Sequence, residues 1–289
     1  MADAGGTSTD WYLKFLSNDI PLQIKTAGIN ATTASDEEIR SVFRNLLKTF
    51  SERVNGISKI AIYLKYFGAG CNSAAVNYRI ERIFSEIFCA YTVIASVRSD
   101  IYGAALSLFG KDCGIACVLG TGSASCCFKD GIIVDSIPSL GYVLGDEGSG
   151  AYMGKTLLNM YFKRELPLKI NERFNETFNF EISEILRRVY RCENANAFLA
   201  SFVPFISENR DNCIISQLID GSLKLFYKKN VLKYKMSTNY PVRFVGGVAS
   251  LFKDRIIKIA HTYGLEADMF VNNPIFELGK FYTENPDYE

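Results

Sequence analysis

Apolar and polar positions change period several times along this chain, and the changes outline alternating strands and helices. Trp11 to Phe15 and Leu22 to Lys25 carry strand-like alternation, whereas Asp36 to Phe50 repeats its apolar residues every three or four positions behind an acidic first turn, which predicts a helix. Ile60 to Leu64 reads as a buried strand that ends at a turn over Phe67, Gly68, Ala69 and Gly70. A helix around Ala75 to Phe88 then leads to a strand from Tyr91 to Val97 and a helix from Ile101 to Leu108. This order predicts an α/β layer.

The pattern restarts with the apolar run Gly114 to Leu119 and continues through Ser125 to Phe128 into a turn at Lys129, Asp130 and Gly131. From Ser149 to about Lys229 the periodicity is mostly helical, with breaks at Leu166-Pro167 and Val203-Pro204, and Val242 to Val245 supplies another strand. Two lobes are expected, residues 1–109 and 110–289, with the boundary near Leu108 to Lys111. No low-complexity linker separates them, which predicts a tight hinge.

A chain of 289 residues can bury a core in each of two such lobes. Its 32 lysines and arginines balance 31 aspartates and glutamates, so no net field favours nucleic acid or an anionic membrane, and a small-molecule partner is expected. The 8 cysteines form no C-x-x-C pair and are expected to be buried and reduced, though Cys71, after Gly68 to Gly70, is a candidate exposed thiol. His261 is the single histidine, which argues against both a structural zinc site and a Ser-His-Asp mechanism and fits a helix surface. The N-terminus lacks a signal region and the chain lacks a twenty-residue apolar span, so a cytoplasmic location is expected.

Three glycine turns change the picture. Asp3 leads the first, with Gly5, Gly6, Thr7 and Thr9; Gly120, Thr121, Gly122 and Ser123 form the second; Gly246 and Gly247 open the third. Each adjoins an apolar stretch, and glycine there lets successive backbone N–H groups converge on a phosphate with no Cβ in the way. Three such turns point to separate handles on ATP. A carboxylate at the mouth of the first, Asp3, is placed to hold Mg²⁺ through water, and Thr7 and Thr9 add hydroxyls.

Asp100 follows a strand and opens a helix, which suits either an N-cap or a carboxylate that orients and deprotonates a phosphoryl acceptor. Between Gly141 and Gly150 lies a loop with two adjacent acids, Asp146 and Glu147; Asp146 is the preferred sugar ligand and Glu147 is expected to stabilise a helix start. The segment Ser149 to Thr156 imitates a P-loop, but serine occupies its first glycine position and no strand precedes it. Gly120 to Ser125 lacks the third glycine of a dinucleotide fingerprint.

Taken together, the three turns resemble the phosphate-1, phosphate-2 and adenosine motifs of the sugar kinase/Hsp70/actin superfamily. The stretch Gly145 to Gly150, with Asp100 to Ala105, is similar to the N-acetylglucosamine kinase branch of the BadF-type ATPases. The resemblance implies two ribonuclease-H-like, actin-like ATPase domains with an interdomain cleft for ATP and Mg²⁺. It implies transfer of the γ-phosphoryl group to an N-acetylhexosamine, N-acetylglucosamine at O6, with Asp100 as the base. Asn30, Asp146 and Gly141 would contact the sugar, and a homodimer is left open. Asn30 fits a turn-supporting role equally well.

Two positions depart from that pattern. Ala124 stands where the family has asparagine, which removes a donor and an acceptor from the sugar pocket, and only Met1 and Ala2 precede Asp3, so a clipped first strand is expected. Two other functions compete with the kinase. One is an ATPase module that drives a partner protein through a cysteine-held iron–sulfur cluster, and the other is a sugar sensor without catalysis.

Overall fold

Alanine at positions 2 and 4 lets the shortest strand, β1 (Ala2–Ala4), lie between two neighbours. It pairs antiparallel with β2 (Ser8–Phe15) and parallel with β4 (Ala61–Gly68). The computed structural model describes residues 1–15, 18–54, 60–192, 194–235 and 239–288. The chain forms two compact units, Met1–Gly110 with Pro274–Glu289, and Lys111–Asn273.

In the first unit β3 (Asn18–Ala27), α1 (Asp36–Arg53), α2 (Ala74–Ile87), β5 (Thr92–Ser99) and α3 (Asp100–Phe109) complete a mixed sheet in the order β3-β2-β1-β4-β5. Helix α1 starts where the sequence predicts. Ser35 and Glu38 form a reciprocal capping box there, and Ile39, Val42, Phe43, Leu46 and Phe50 line its buried stripe. That stripe meets Trp11, Tyr66 and Ala2 in one core. Asp3 alternates to the opposite side from Ala2 and Ala4.

The second unit runs through β6 (Gly114–Leu119), β7 (Ser123–Lys129) and β8 (Ile132–Ile137) into α4 (Gly141–Leu144) and α5 (Gly150–Phe162). Next come α6 (Leu168–Phe178), α7 (Ile182–Tyr190), α8 (Ala195–Ala200), α9 (Val203–Glu208) and α10 (Cys213–Lys229). The unit closes with β9 (Val242–Val245), α11 (Gly247–Leu251), α12 (Lys253–Thr262) and β10 (Ala267–Val271), and its sheet order is β10-β9-β6-β7-β8. Asp130 and Gly131, both with positive φ, join β7 to β8 as a two-residue hairpin requires. His261 lies exposed on α12, as expected.

Three features differ from the sequence reading. The second lobe does not run to residue 289: α13 (Ile275–Glu284) belongs to the first unit, where Gly279 brings it so near β2 that a Cβ would lie 2.8 Å from the Tyr12 ring. Strand β4 continues through Phe67 and Gly68 rather than stopping before them. The cysteines divide: Cys71, Cys117, Cys126 and Cys127 are buried, while Cys89, Cys192 and Cys213 are exposed. Cys71 is therefore not the exposed thiol that its glycine-rich neighbourhood suggested, and burial pushes its pKa up to about 12, with Asp100 adding to the effect.

No helix among the described residues is long and apolar enough to cross a membrane.

Candidate active site

In the first unit the short β1 ends in the first glycine turn. The Gly5 amide donates to the Ser8 carbonyl (3.0 Å), which closes the turn, and the Ile29 amide donates to the Gly5 carbonyl (3.1 Å). Gly28 lies against this turn so closely that a Cβ there would sit 2.5 Å from the Thr7 nitrogen. Gly6 and Thr7 are exposed at its tip. Thr9 is not: it is fully buried, and its hydroxyl donates to the Ala27 carbonyl (3.1 Å), so this side chain belongs to the sheet rather than to a ligand. Although β1 has three residues, it pairs along its whole length on both sides, and the hairpin behind it is intact.

Asp3 faces Asp10 across that hairpin. Burial, then the charges of Asp100 and Asp10, push the Asp3 pKa up to about 7. Asp100 itself is raised by burial, against the opposing pull of the Ile101 amide, which donates to Oδ1 at 2.9 Å, and of its own amide. Its helix is capped by Ser99, whose hydroxyl accepts from the Tyr102 amide. The N-cap role open to Asp100 in the sequence is thus filled by its neighbour, and Asp100 occupies the first helical position with its carboxylate in reach of Asp3's field.

Asn30 follows Ile29, whose amide reaches the first glycine turn. It forms a parallel bridge with Ala69, and its Oδ1 accepts from the Thr32 amide (3.1 Å), the turn-supporting geometry. A Cβ on Gly70, which has φ +81°, would stand 2.6 Å from that oxygen. The Nδ2 end of Asn30 is the part left to meet a ligand.

The second unit brings the other two glycine turns together. Gly246, at φ +118°, donates its amide to the Val271 carbonyl (2.8 Å), and a Cβ on it would lie 2.4 Å from the Leu119 carbonyl oxygen and 3.3 Å from the Gly120 nitrogen. Only glycine permits this approach. Gly247 is exposed beyond it, near Asn272. The Gly120–Ser123 turn is braced from behind: the Gly150 and Ala151 amides donate to the Gly120 and Thr121 carbonyls at 2.8 and 3.0 Å. Its carbonyls point into the fold, which turns the peptide N–H groups of Thr121 and Gly122 outward.

Asp146, at φ +56° and buried, is tied to this turn. Its Oδ1 accepts from the Ser123 amide (3.3 Å) and the Ser139 hydroxyl (3.2 Å), while its Oδ2 would lie 3.0 Å from a Cβ on Gly122. Burial raises its pKa, and those two hydrogen bonds oppose the rise. Ser123, Ser139, Asp146, Glu147 and Lys229 line a cavity of about 220 Å³. Gly141 is not among its lining residues; it opens α4, and its carbonyl accepts from the Gly145 amide. Ala124 lies on β7 opposite Val118.

Glu147 does not stabilise the helix start as expected. Ser149 caps α5 by accepting from the Tyr152 amide (3.1 Å), and Glu147 pairs with Lys229 at 2.6 Å. The P-loop imitation dissolves for a packing reason: Gly154 lies inside α5, where a Cβ would collide with the Leu199 carbonyl at 1.8 Å, so this glycine lets α5 and α8 cross.

Sequence reasoning passed over Gly28, because a lone glycine in a loop carries no motif.

No family model matches the chain, and no curated protein matches it in sequence. Among solved structures, a provisionally assigned N-acetylglucosamine kinase from Porphyromonas gingivalis shares 31% identity with it over 99% of this chain and 98% of that one, with a TM-score of 0.89. A second provisionally assigned N-acetylglucosamine kinase, from Chromobacterium violaceum, superposes with a TM-score of 0.75 over 97% of this chain and 96% of the other at 17% identity, a likeness of fold. With the identity to the first spread over nearly all of both chains, and with two mixed five-stranded sheets flanked by helices, this chain belongs to the N-acetylglucosamine kinase-like family of actin-like sugar kinases.

Proposed function

We propose that the protein is an ATP-dependent carbohydrate kinase of the BadF-type branch that phosphorylates N-acetylglucosamine, or a closely similar N-acetylhexosamine, at O6. The observation that carries this reading is that Ala4, Gly68 and Ser99 stand in register across β1, β4 and β5, which sets Asp3 and Asp100 at the end of the sheet where the first glycine turn begins. One carboxylate suits a metal and the other suits a proton.

Asp3 fits Mg²⁺. It is a half-buried carboxylate pressed by two like charges, and a divalent cation that keeps most of its water would relieve that repulsion. Among the described residues no group of three His, Cys, Asp or Glu side chains is placed to cage a metal, so Asp3 would act through water and the phosphates. Bound there, Mg²⁺ would neutralise charge on the β- and γ-phosphates. The Gly5–Thr7 turn and the Thr121 and Gly122 amides would hold the phosphate oxygens, and Gly246 and Gly247 would receive the adenosine.

Asp146 and the Asn30 amide would orient the sugar by its hydroxyls. Asp100 would accept the O6 proton while O6 bonds to the γ-phosphorus and the bond from that phosphorus to the β,γ-bridging oxygen breaks, releasing ADP. Its pKa, raised by burial, brings it nearer to a useful base than an exposed aspartate. The loose transition state needs the alcohol aimed in line more than it needs a strong base. By the resemblance, Ala124 would leave the sugar site without the donor and acceptor that an asparagine there supplies.

The test is ADP release measured across N-acetylated amino sugars, free amino sugars and plain hexoses, with product identified by phosphorus NMR. Stimulation by N-acetylglucosamine with a 6-phosphate product supports the proposal. If no sugar stimulates ADP formation and Asp100→Asn leaves the basal rate unchanged, the kinase reading fails. Sedimentation of the same preparation would distinguish a monomer from a homodimer, and cell fractionation would test the cytoplasmic location.

A further inference from the structure

Asp146 and Glu147, neighbours in sequence, are both buried and both line the cavity of about 220 Å³ in the second unit. Their partners differ. Asp146 receives uncharged donors, the Ser123 amide and the Ser139 hydroxyl, whereas Glu147 Oε1 accepts from Lys229 Nζ at 2.6 Å. Lys229 stands in the last turn of α10, with its side chain 58% exposed against 10% for that of Glu147. The lysine therefore reaches in from solvent to a carboxylate that has left it.

Two buried carboxylates side by side oppose each other's ionisation, and one counter-charge on either relieves both. The charged groups set around Asp146 are Glu147 beside it, Lys155 from α5, and Lys229 and Lys233 on the cavity wall. Lys155 is engaged elsewhere: its Nζ donates to the Tyr142 carbonyl at 2.8 Å and lies 5.3 Å from the centre of the Tyr152 ring. Lys233 is exposed. Of the two lysines that line the cavity, Lys229 is the one paired with an acid there. Burial raises the Asp146 pKa, its two hydrogen bonds oppose the rise, the Glu147 charge adds to it and the Lys155 charge subtracts from it. Glu147 also holds the proton on Lys229, through their hydrogen bond first and its charge second.

We propose that Lys229 is a positioning residue of the sugar site: by cancelling the charge of Glu147 it keeps the neighbouring Asp146 ionised and ready to accept from sugar hydroxyls. This inference rests on the kinase reading for the sugar, but the charge relation among the three side chains is measurable without it. A competing role is purely structural. The pair ties α10 to the segment just before α5, and its loss would loosen both.

The experiment follows the carboxyl-carbon NMR resonance of Asp146 through a pH titration of the ligand-free protein, the resonance being identified by its loss in Asp146→Asn. Wild type is compared with Lys229→Met, with Lys229→Arg, with Glu147→Gln and with the double variant Glu147→Gln, Lys229→Met. The titration midpoint should rise by about 1 in Lys229→Met, stay near wild type in Lys229→Arg, and move by less than about 0.3 when Lys229→Met is added to Glu147→Gln. An unmoved midpoint in Lys229→Met overturns the proposal. So does an equal rise in the Glu147→Gln background, because the lysine would then act on Asp146 without Glu147. In sugar-stimulated ADP release, Lys229→Met should raise KM for sugar up to about tenfold at the acid end of the pH profile, converge on wild type at the alkaline end, and leave kcat within about twofold. A KM raised equally at every pH, with a lower thermal midpoint, is the signature of the structural role and overturns the proposal. If no sugar stimulates the wild type, the kinase reading fails on its own, and the NMR titration alone decides whether Lys229 holds Asp146 ionised.

Discussion

Asp3 and Asp10 stand opposite each other on the first hairpin, so the residue that begins the phosphate turn carries a like charge across the strand pair. With burial and Asp100 acting in the same direction, its pKa rises to about 7. A carboxyl whose folded pKa exceeds its unfolded value stabilises the fold fully below the unfolded pKa and loses that contribution as pH climbs through the folded one. The window runs from the ordinary carboxylate range up to about pH 7. Over it, the ligand-free wild type should lose on the order of 5 °C of thermal midpoint relative to Asp3→Asn, and Mg²⁺–ATP added at pH 8 should restore it only in the wild type. Parallel midpoint curves for the two proteins would refute this assignment.

Asp100→Asn keeps the shape of the side chain and its place at the start of α3 but removes the proton acceptor. Sugar-stimulated kcat should fall about 10²- to 10⁴-fold with KM for sugar changed little. A large rise in KM with kcat preserved would instead make Asp100 a binding residue.

Asp146→Ala leaves the Ser123 amide and the Ser139 hydroxyl without their shared acceptor. One cost is stability, about 1–3 kcal/mol in denaturant unfolding. The other is a higher KM for sugar, because the same carboxylate anchors the second glycine turn and faces the cavity. If Asp146→Ala shifts KM without touching stability, the anchoring bonds contribute nothing.

Gly246→Ala forces a Cβ toward the Leu119 carbonyl at a φ that other residues avoid. Destabilisation of about 1–3 kcal/mol is expected, with weaker binding of an ATP analogue by calorimetry. The strain falls on β6 just before Gly120, so both glycine turns of the second unit should be affected. Unchanged analogue affinity would separate this turn from the nucleotide.

The alternation of strands and helices and the positions of the three glycine turns were legible because each depends on near neighbours in sequence: a period or a φ preference. What escaped depends on distant ones. Nothing around Thr9 distinguishes a hydroxyl turned into the sheet from one turned to a phosphate, since the Ala27 carbonyl that claims it arrives from another strand. Cys71 follows two glycines and looks accessible, yet the packing around Gly68 closes over it. Glu147 found Lys229, 82 residues further on, rather than the helix beside it. Gly154 imitated a phosphate loop while serving a helix crossing.

Helix α13 carries a consequence for how the molecule is made. The first unit is encoded in two pieces with the whole second unit spliced between them, and the later piece includes Gly279, which fits against Tyr12. During synthesis the early sheet must therefore wait, its Tyr12 side uncovered, until residues beyond 274 leave the ribosome. The second unit is contiguous, so a chain stalled before that point would hold all of that unit and only part of the first.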